Sequence, residues 1–198
     1  MFDAIFFINL AESTDRLAQV SEELRTHDLL HIATRVDAIR VAHRGAEGCL
    51  LSHIKALRMG LDAGHDHFLV VEDDITFVRD PKSAVAAFLA DHPTSDDWDL
   101  VMLAFGFETT TPHKPGVDRV HFAHGAAAYA VTRRFAKTLL AFWEGTTDRF
   151  NAGALRPQCD ASWTELIPTA KWFCLQPRVG LQRPGFSIIC GCYQNYGV

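Results

Sequence analysis

Three consecutive carboxylates, Glu72, Asp73 and Asp74, follow an apolar segment that predicts a buried strand. Carboxylates held together at a strand end repel one another and raise each other's pKa values. A divalent cation relieves this repulsion, and Mg²⁺ and Mn²⁺ prefer oxygen ligands. The triplet therefore predicts a Mg²⁺ or Mn²⁺ site that stabilises charge on a departing nucleoside diphosphate. The alternative is that the three acids cap the following turn and face solvent.

The same segment, Glu72 to Thr76, approaches the Asp-x-Asp-x-Thr motif of phosphatases of the haloacid dehalogenase type. Glu72 stands where that motif has its nucleophilic Asp, and the extra methylene displaces the attacking oxygen. The segment also follows the third predicted strand rather than the first. A phosphatase-like hydrolase is therefore kept only as a second alternative.

Histidines and cysteines offer further candidates. His121 and His124 lie near a predicted strand end, where one of them can reach a metal or an acceptor. Cys49 falls on the inner side of a predicted helix and is expected to be a small core residue. An odd, scattered set of cysteines predicts free thiols rather than a disulfide framework. The set comprises Cys49, Cys159, Cys174, Cys190 and Cys192.

The elements that must position these residues are strands alternating with helices. Apolar runs predict strands over residues 4–10, within 31–39, and over 68–72, 99–104, 117–122, 126–131 and 171–175. Apolar spacings of three and four, with capping residues, predict a helix after Ser13 or Thr14 and helices over 47–61, 80–89, 132–143 and 161–167. This alternation predicts an α/β fold in which ligands bind at the carboxyl ends of the strands.

Length and charge narrow the class of protein. A chain of 198 residues is long enough for one domain with its own core. Its formal net charge of −5 argues against a dedicated nucleic-acid binder. Acids flank the apolar N-terminal run, and no stretch reaches the roughly 18 apolar residues that span a bilayer. We expect a cytoplasmic protein with at most peripheral association with the inner face of the membrane.

Two motifs occur in a fixed order: Gly-Cys-x-x-Ser-His at 48–53, and then the acidic triplet at 72–74. Weaker matches surround them, including Ile8-Asn9-Leu10 with Asp15-Arg16, Val36-Asp37-Ala38, Asp97-Trp98-Asp99 and Ser187-Ile188-Ile189. Together they make nearly the whole chain similar to glycosyltransferase family 25, the lipooligosaccharide and collagen galactosyltransferases. The chain departs from that family after Asp37, where Ala38 and Ile39 replace the usual Gly.

The resemblance implies a GT-A fold, with a mixed central sheet flanked by helices. It implies one glycosyltransferase domain over 1–198, with a nucleotide-sugar-binding half (1–110) and an acceptor-side half (111–198). Glu72 and Asp74 then border the metal on the donor diphosphate, with Asp74 as the direct ligand. The implied donor-binding residues are Asn9, Arg16, Asp37, Ser52, His53 and Asp73. Ser52 and His53 are expected at a helix start, where free N–H groups favour phosphate.

The implied function is metal-dependent transfer of a hexose such as galactose from a nucleotide-sugar, a UDP-sugar, to a glycan acceptor such as lipooligosaccharide. The family is regarded as inverting, which requires a carboxylate base to deprotonate the acceptor hydroxyl. The resemblance assigns that role to Asp160. The first alternative is a catalytically inactive relative that binds nucleotide-sugar without turnover.

Overall fold

The computed structural model describes residues 2–106, 108–151, 159–187, 189 and 191–195, and of residues 148–151 it describes the backbone alone. Cys190, predicted to be a free thiol, and Ile188, part of the closing match to the family, lie outside the described residues. The other four cysteines are free thiols, as predicted.

Twelve strands are present in the described residues. They are β1 (Ala4–Asn9), β2 (Ala33–Asp37), β3 (His67–Glu72), β4 (Ile75–Phe77), β5 (Leu100–Ala104), β6 (Glu108–Lys114), β7 (Val117–Ala123), β8 (Ala128–Thr132), β9 (Trp172–Leu175), β10 (Gly180–Gln182), β11 (Gly185–Ser187) and β12 (Cys192–Gln194). Eight of them form one sheet in the order β2-β1-β3-β8-β5-β9-β7-β6, while β4 pairs with β10 and β11 with β12. The large sheet is mixed, because β1 runs parallel to β2 and β3 whereas β8 is antiparallel to β3 and β5.

Five α-helices accompany the strands in the described residues. They are α1 (Thr14–Thr26), α2 (Gly45–Asp62), α3 (Pro81–Asp91), α4 (Arg133–Asn151) and α5 (Cys159–Ser162). Short 3₁₀ turns occur at Leu30–Ile32, Trp163–Glu165 and Ile167–Thr169. No helix within the described ranges combines the length and the apolar character needed to cross a bilayer.

The sheet is covered on both faces, which explains why β1 is apolar almost throughout. Side chains alternate along a strand, so Phe6 and Ile8 enter one core, with α2 and α4, while Ile5 and Phe7 enter the other, with α1 and α3. Every residue of β1 is buried. The architecture is the predicted α/β one, a mixed central sheet flanked by helices.

Most predicted elements are confirmed, with shifts of a few residues at their ends. Asp80 caps α3 as predicted, since its carboxylate accepts from the Ser83 N–H at 3.0 Å. Ser13 precedes α1 but its side chain makes no capping bond, so that prediction is wrong. The helix predicted over 161–167 is instead the single turn α5 followed by 3₁₀ turns.

Candidate functional site

An open groove of about 160 Å³ lies where the parallel strands β1 and β3 end. The register pairs Asn9 with Asp37 and Ile8 with Glu72, so these strand ends share one edge of the sheet. The polar lining of the groove comes from β1 and α1, from α2 and the loop before it, from the acidic triplet, and from the end of β10 and the segment after it. The lining includes Asn9, Arg16, Arg40, Cys49, Ser52, His53, Glu72, Asp73, Asp74, Gln182 and Arg183.

Asp73 is the anchor of a hydrogen-bonded network between β1, α1 and the triplet. Its Oδ2 accepts from Asn9 Nδ2 at 2.7 Å, and its Oδ1 accepts from Arg16 Nη1 at 3.0 Å. Asn9 Oδ1 in turn accepts from Arg35 Nε at 3.1 Å. Burial raises the pKa of Asp73 although Asn9 and Arg16 act to lower it. Three of the six predicted donor-binding residues, Asn9, Arg16 and Asp73, are thus in contact at this edge of the sheet.

Asp74 is the least compensated of the three acids. Its Oδ2 lies 3.2 Å from Arg16 Nη1, but its buried Oδ1 has no hydrogen-bond partner among the described residues. Burial, followed by the charge of Glu72, raises the pKa of Asp74 to about 7. A buried, unpartnered carboxylate oxygen is costly, and a cation beside it removes that cost.

Glu72 has both carboxylate oxygens engaged. Its Oε1 lies 3.2 Å from His53 Nε2, and its Oε2 accepts from Gln182 Nε2 at 3.0 Å. The other ring nitrogen, Nδ1, lies 3.1 Å from the hydroxyl of Tyr129. Burial disfavours a charged His53, but Cys49 and Glu72 outweigh it and raise the pKa of His53 to about 10. The same pairing lowers the pKa of Glu72 against the effect of its burial.

Cys49 differs from the expected small core residue. It packs against the core, yet it also lines the groove. Its Sγ lies 3.6 Å from Cys159 Sγ and 3.9 Å from Glu72 Oε1. The contact with Cys159 lowers the pKa of Cys49 to about 7, despite the opposing effect of burial. Among the described residues, Cys49, His53 and Cys159 form a group that can hold a metal ion, whereas the three carboxylates do not converge in this way.

The Gly-Cys-x-x-Ser-His motif lies within α2 rather than at its start. The helix begins at Gly45, so Ser52 and His53 belong to its second and third turns, and the predicted phosphate site at their N–H groups is wrong. The spacing of the motif divides its residues between two faces of α2. Gly48 and Ser52 face the loop before the helix, while Cys49 and His53 face Glu72 and Cys159. Residues four apart share one face of a helix.

Ser52 and Gly48 hold the loop at residues 38–41 against α2. The Ser52 hydroxyl accepts from the Ile39 N–H at 2.8 Å and donates to the Gly48 carbonyl at 2.6 Å. A Cβ on Gly48 would lie 2.5 Å from the Ile39 carbonyl oxygen, so the close approach requires glycine. Ser52 is buried, and its role in the structure is to position this wall of the groove.

Two predicted site residues, Asp37 and Asp160, are absent from the described lining of the groove. The Asp37 side chain is 70% exposed and lies 3.4 Å from Arg35 Nη1. Asp160 Oδ2 accepts from the Gly125 N–H at 3.0 Å and lies 4.0 Å from His124 Nδ1. Asp160 follows Cys159, whose Sγ lies 3.6 Å from the Sγ of Cys49 in the lining of the groove.

His121 does not approach the site. Its Nε2 lies 2.9 Å from the hydroxyl of Thr111 on the neighbouring strand β6, where both side chains are exposed. The expectation that one of the two histidines can reach a metal or an acceptor therefore rests on His124 alone, through its proximity to Asp160.

Gln182 and Arg183 complete the groove from the far end of the chain. Gln182 ends β10, which pairs with β4 directly after the acidic triplet. The Arg183 N–H donates to the Asp74 carbonyl at 2.6 Å, and its Nη2 donates to Thr76 Oγ1 at 2.8 Å. Sequence reasoning did not assign either residue a role, because only the pairing of β10 with β4 brings them to the acids.

No family model matches the chain, and no curated relative matches it. Solved structures do. UDP-glucose pyrophosphorylase complexed with UDP-glucose has a TM-score of 0.53 at 9% identity, over 96% of this chain and 94% of that one. A glycosyltransferase involved in glycosylation of the major capsid of PBCV-1 has a TM-score of 0.51 at 12% identity, over 93% of each chain. The fold is GT-A-like. A197 from STIV has a TM-score of 0.55 at 13% identity, over 89% of this chain and 82% of that one.

At these identities the likeness shows the fold and nothing finer. Two of the structures named above are by name a UDP-glucose pyrophosphorylase and a glycosyltransferase. The predicted fold class is thereby confirmed. Membership of glycosyltransferase family 25 stays a prediction, as do the roles of the individual site residues.

Proposed function

We propose that the protein is a glycosyltransferase that binds a nucleotide-sugar in the groove and transfers its hexose to a glycan acceptor. The observation that carries the proposal is the buried, unpartnered Oδ1 of Asp74, in a groove at the carboxyl ends of parallel strands on a GT-A-like fold. In open α/β sheets, ligands bind at this edge. A UDP-sugar donor with galactose as the hexose, and an acceptor such as lipooligosaccharide, follow from the family resemblance.

The acidic triplet suits a divalent cation at Asp74. The Oδ1 atom offers a free, hard oxygen ligand, and an ionised Asp74 is destabilised by burial and by Glu72 until a cation compensates it. Glu72 borders this position with its oxygens engaged by His53 and Gln182, which leaves Asp74 as the direct ligand. Mn²⁺ or Mg²⁺ held there would stabilise negative charge on the departing diphosphate.

Cationic side chains supply the rest of the charge balance for a diphosphate. Arg16 Nη1 already lies between Asp73 and Asp74, and Arg16 Nη2 donates to the Phe186 carbonyl at 3.0 Å. Arg183 lines the same groove. One guanidinium group can donate two parallel hydrogen bonds to a phosphate, so Arg16 and Arg183 are suited to orient the donor beside Asp74.

Inversion at the sugar takes one in-line displacement. The acceptor oxygen forms a bond to the anomeric carbon while the bond from that carbon to the diphosphate breaks, and the hydroxyl proton passes to a carboxylate base. We assign that base to Asp160, with His124 4.0 Å from its Oδ2. The assignment places the acceptor between the groove and the 124–125 loop, and makes 111–198 the acceptor-side half of a single domain over 1–198.

Two alternatives keep specific predictions of their own. A nucleotide-sugar-binding protein without turnover would retain the groove and Asp74 but would be insensitive to loss of Asp160. A phosphatase-like hydrolase would need Glu72 as nucleophile, and the engagement of both Glu72 oxygens argues against it. A cytoplasmic location remains part of the proposal.

Calorimetry with UDP, GDP, CMP and ADP, with Mn²⁺ and then with a chelator, tests the donor site. We expect one nucleotide to bind the wild-type protein only with metal, and to lose that metal-dependent binding in Asp74→Asn. Asp62→Asn is the matched control, since Asp62 is exposed at the end of α2. Turnover is then followed with the matching nucleotide-sugar and a panel of glycans.

Metal-independent binding, or equal binding by Asp74→Asn and wild type, would refute the assignment of Asp74. Absence of binding by all four nucleotides would remove the proposed function. Metal-dependent binding with no turnover on any acceptor would favour the binding protein over the enzyme.

A further inference from the structure

A second set of metal-binding atoms lies at the buried side of the groove, apart from Asp74. Cys49 and His53 come from α2, Cys159 begins α5, and their ligand atoms all lie within 4.8 Å of one another. His53 and Cys159 are buried, and Cys49 is half-buried. Two thiols and an imidazole are the ligands that zinc prefers, whereas Mg²⁺ and Mn²⁺ prefer oxygen. The donor proposal assigns none of these three side chains to the nucleotide-sugar, and His53 enters it only through its contact with Glu72.

Glu72 supplies a fourth ligand on the same side. Its Oε1 lies 3.2 Å from His53 Nε2 and 3.9 Å from Cys49 Sγ. The set is then two sulfurs, one nitrogen and one oxygen, drawn from α2, β3 and α5. Thiolate, imidazole and carboxylate are all zinc ligands, and a closed zinc site takes four protein ligands in tetrahedral geometry.

Three of the six distances between the four ligands are close to those of one tetrahedral ion. Zinc bonds of about 2.3 Å to sulfur and about 2.1 Å to nitrogen or oxygen place two sulfurs about 3.8 Å apart, sulfur and oxygen about 3.6 Å apart, and nitrogen and oxygen about 3.4 Å apart. The Cys49–Cys159, Cys49–Glu72 and His53–Glu72 distances are 3.6, 3.9 and 3.2 Å. These three separations are close to tetrahedral values, and the ligand atoms of Cys49, His53 and Cys159 converge within 4.8 Å of one another.

Neighbouring side chains orient the ligands. The His53 Nδ1 lies 3.1 Å from the Tyr129 hydroxyl, which leaves Nε2 for the metal. Glu72 Oε2 accepts from Gln182 Nε2 at 3.0 Å, which leaves Oε1. Ligating histidines and carboxylates in metal sites are held by such second hydrogen bonds.

We propose that Cys49, His53, Cys159 and Glu72 bind one Zn²⁺ ion that joins α5 to α2 and β3. Without metal, Cys49 is hydrogen-bonded to Cys159 and His53 is hydrogen-bonded to Glu72, with one proton in each contact. Zinc replaces those protons, which pass to solvent as the thiols become thiolates. The inference does not rest on donor binding.

Cobalt substitution of the full chain tests the site. With Co²⁺ added to metal-free, reduced protein, we expect one equivalent to bind, with thiolate-to-cobalt charge-transfer bands and the intense visible bands of a tetrahedral centre. Zn²⁺ should displace it. Cys49→Ser and Cys159→Ser should each lower the charge-transfer intensity by about half, and the double variant should abolish it. Cys192→Ser, at an exposed thiol, is the control that leaves the bands unchanged.

Asp74→Asn separates this site from the donor site, because it should abolish metal-dependent nucleotide binding while the cobalt bands persist. Alkylation of the wild-type protein, read by mass spectrometry, avoids any folding defect of the variants. Zn²⁺ should slow the labelling of Cys49 and Cys159 at least tenfold relative to chelator, and leave Cys192 unaffected.

Absence of charge-transfer bands in wild type, or bands that survive loss of both cysteines, would overturn the zinc site. A Cys49–Cys159 disulfide in protein isolated with zinc under reducing conditions would do the same. Neither result bears on nucleotide binding at Asp74, so the two proposals fail independently.

Discussion

Replacement of Asp74 by Asn should stabilise the metal-free protein at neutral pH. In the native chain this carboxyl is buried beside Glu72, and its pKa rises from an ordinary 3.8 to about 7. The unfolded chain releases the proton at the ordinary value. Between these two pKa values the folded state binds more protons than the unfolded state, so the free energy of unfolding falls as pH rises. Asn has the same shape and carries no charge, so it removes that dependence.

The magnitude follows from the two pKa values. Each pH unit between them contributes about 1.4 kcal/mol, so the full destabilisation above pH 7 is about 4 kcal/mol. About 2–3 kcal/mol of it develops between about pH 5 and about pH 8. The side chain is 13% exposed, so solvent screening takes little from this figure. His53, whose pKa is also raised, contributes stability that is lost above pH 6.5, but it does so in both proteins.

Urea unfolding of wild type and Asp74→Asn, with a chelator present, measures the difference. The buried tryptophans Trp98, Trp143, Trp163 and Trp172 provide a fluorescence signal for loss of both cores. We expect the stability advantage of the variant to be about 2–3 kcal/mol larger at about pH 8 than at about pH 5. Added Mn²⁺ should reduce the advantage, because the ion binds the wild-type carboxylate.

A stability difference that is the same at both pH values would refute the reasoning, as would a variant less stable than wild type at the higher pH. Asp62→Asn serves as the control, since an exposed carboxyl should give no pH-dependent difference. If that control shows the same trend, net charge rather than burial of Asp74 is responsible.

Three further substitutions test the wall of the groove and the proposed catalytic base. Gly48→Ala should lower the free energy of unfolding in urea by about 1–3 kcal/mol, because the added Cβ meets the Ile39 carbonyl oxygen. Gly145→Ala is the control and should stabilise α4 by up to about 1 kcal/mol. Equal effects of the two substitutions would contradict the close contact at Gly48. Ser52→Ala should cost about 1 kcal/mol by removing the hydrogen bond to the part-buried Ile39 N–H, and the same unfolding assay would show no loss if water replaces the hydroxyl. Asp160→Asn should lower the transfer rate at least about 100-fold with nucleotide affinity unchanged by calorimetry, and parallel losses of both would point to a structural role.

The buried elements of the fold could be predicted because their patterns are local. The apolar run of β1 and the spacing of Leu50, Ile54 and Leu57 on α2 record which faces meet the core. β6 gave no such signal: it lies at the edge of the sheet, most of its residues are exposed, and it contains Pro112. An edge strand with little burial has no apolar alternation to read.

The candidate site was predictable in part. The acidic triplet follows a strand in sequence, so its place at the strand end could be read directly. The contribution of Gln182 could not, because it depends on three residues of β10 pairing with β4, more than one hundred positions away. The environment of Cys49 was missed for the same reason, since its partner Cys159 comes from a single helical turn distant in the chain.

On α2, Gly48 and Ser52 face the preceding loop, whereas Cys49 and His53 face Glu72 and Cys159. This division determines what kind of protein a search with the Gly-Cys-x-x-Ser-His motif would find. Gly48 and Ser52 meet the requirements of a loop attachment, which any chain with this scaffold needs whether or not it turns over a substrate. Asp74 lies on a different element and can change without disturbing that attachment. The motif therefore marks this loop architecture, and an activity is better judged from the carboxylates after β3.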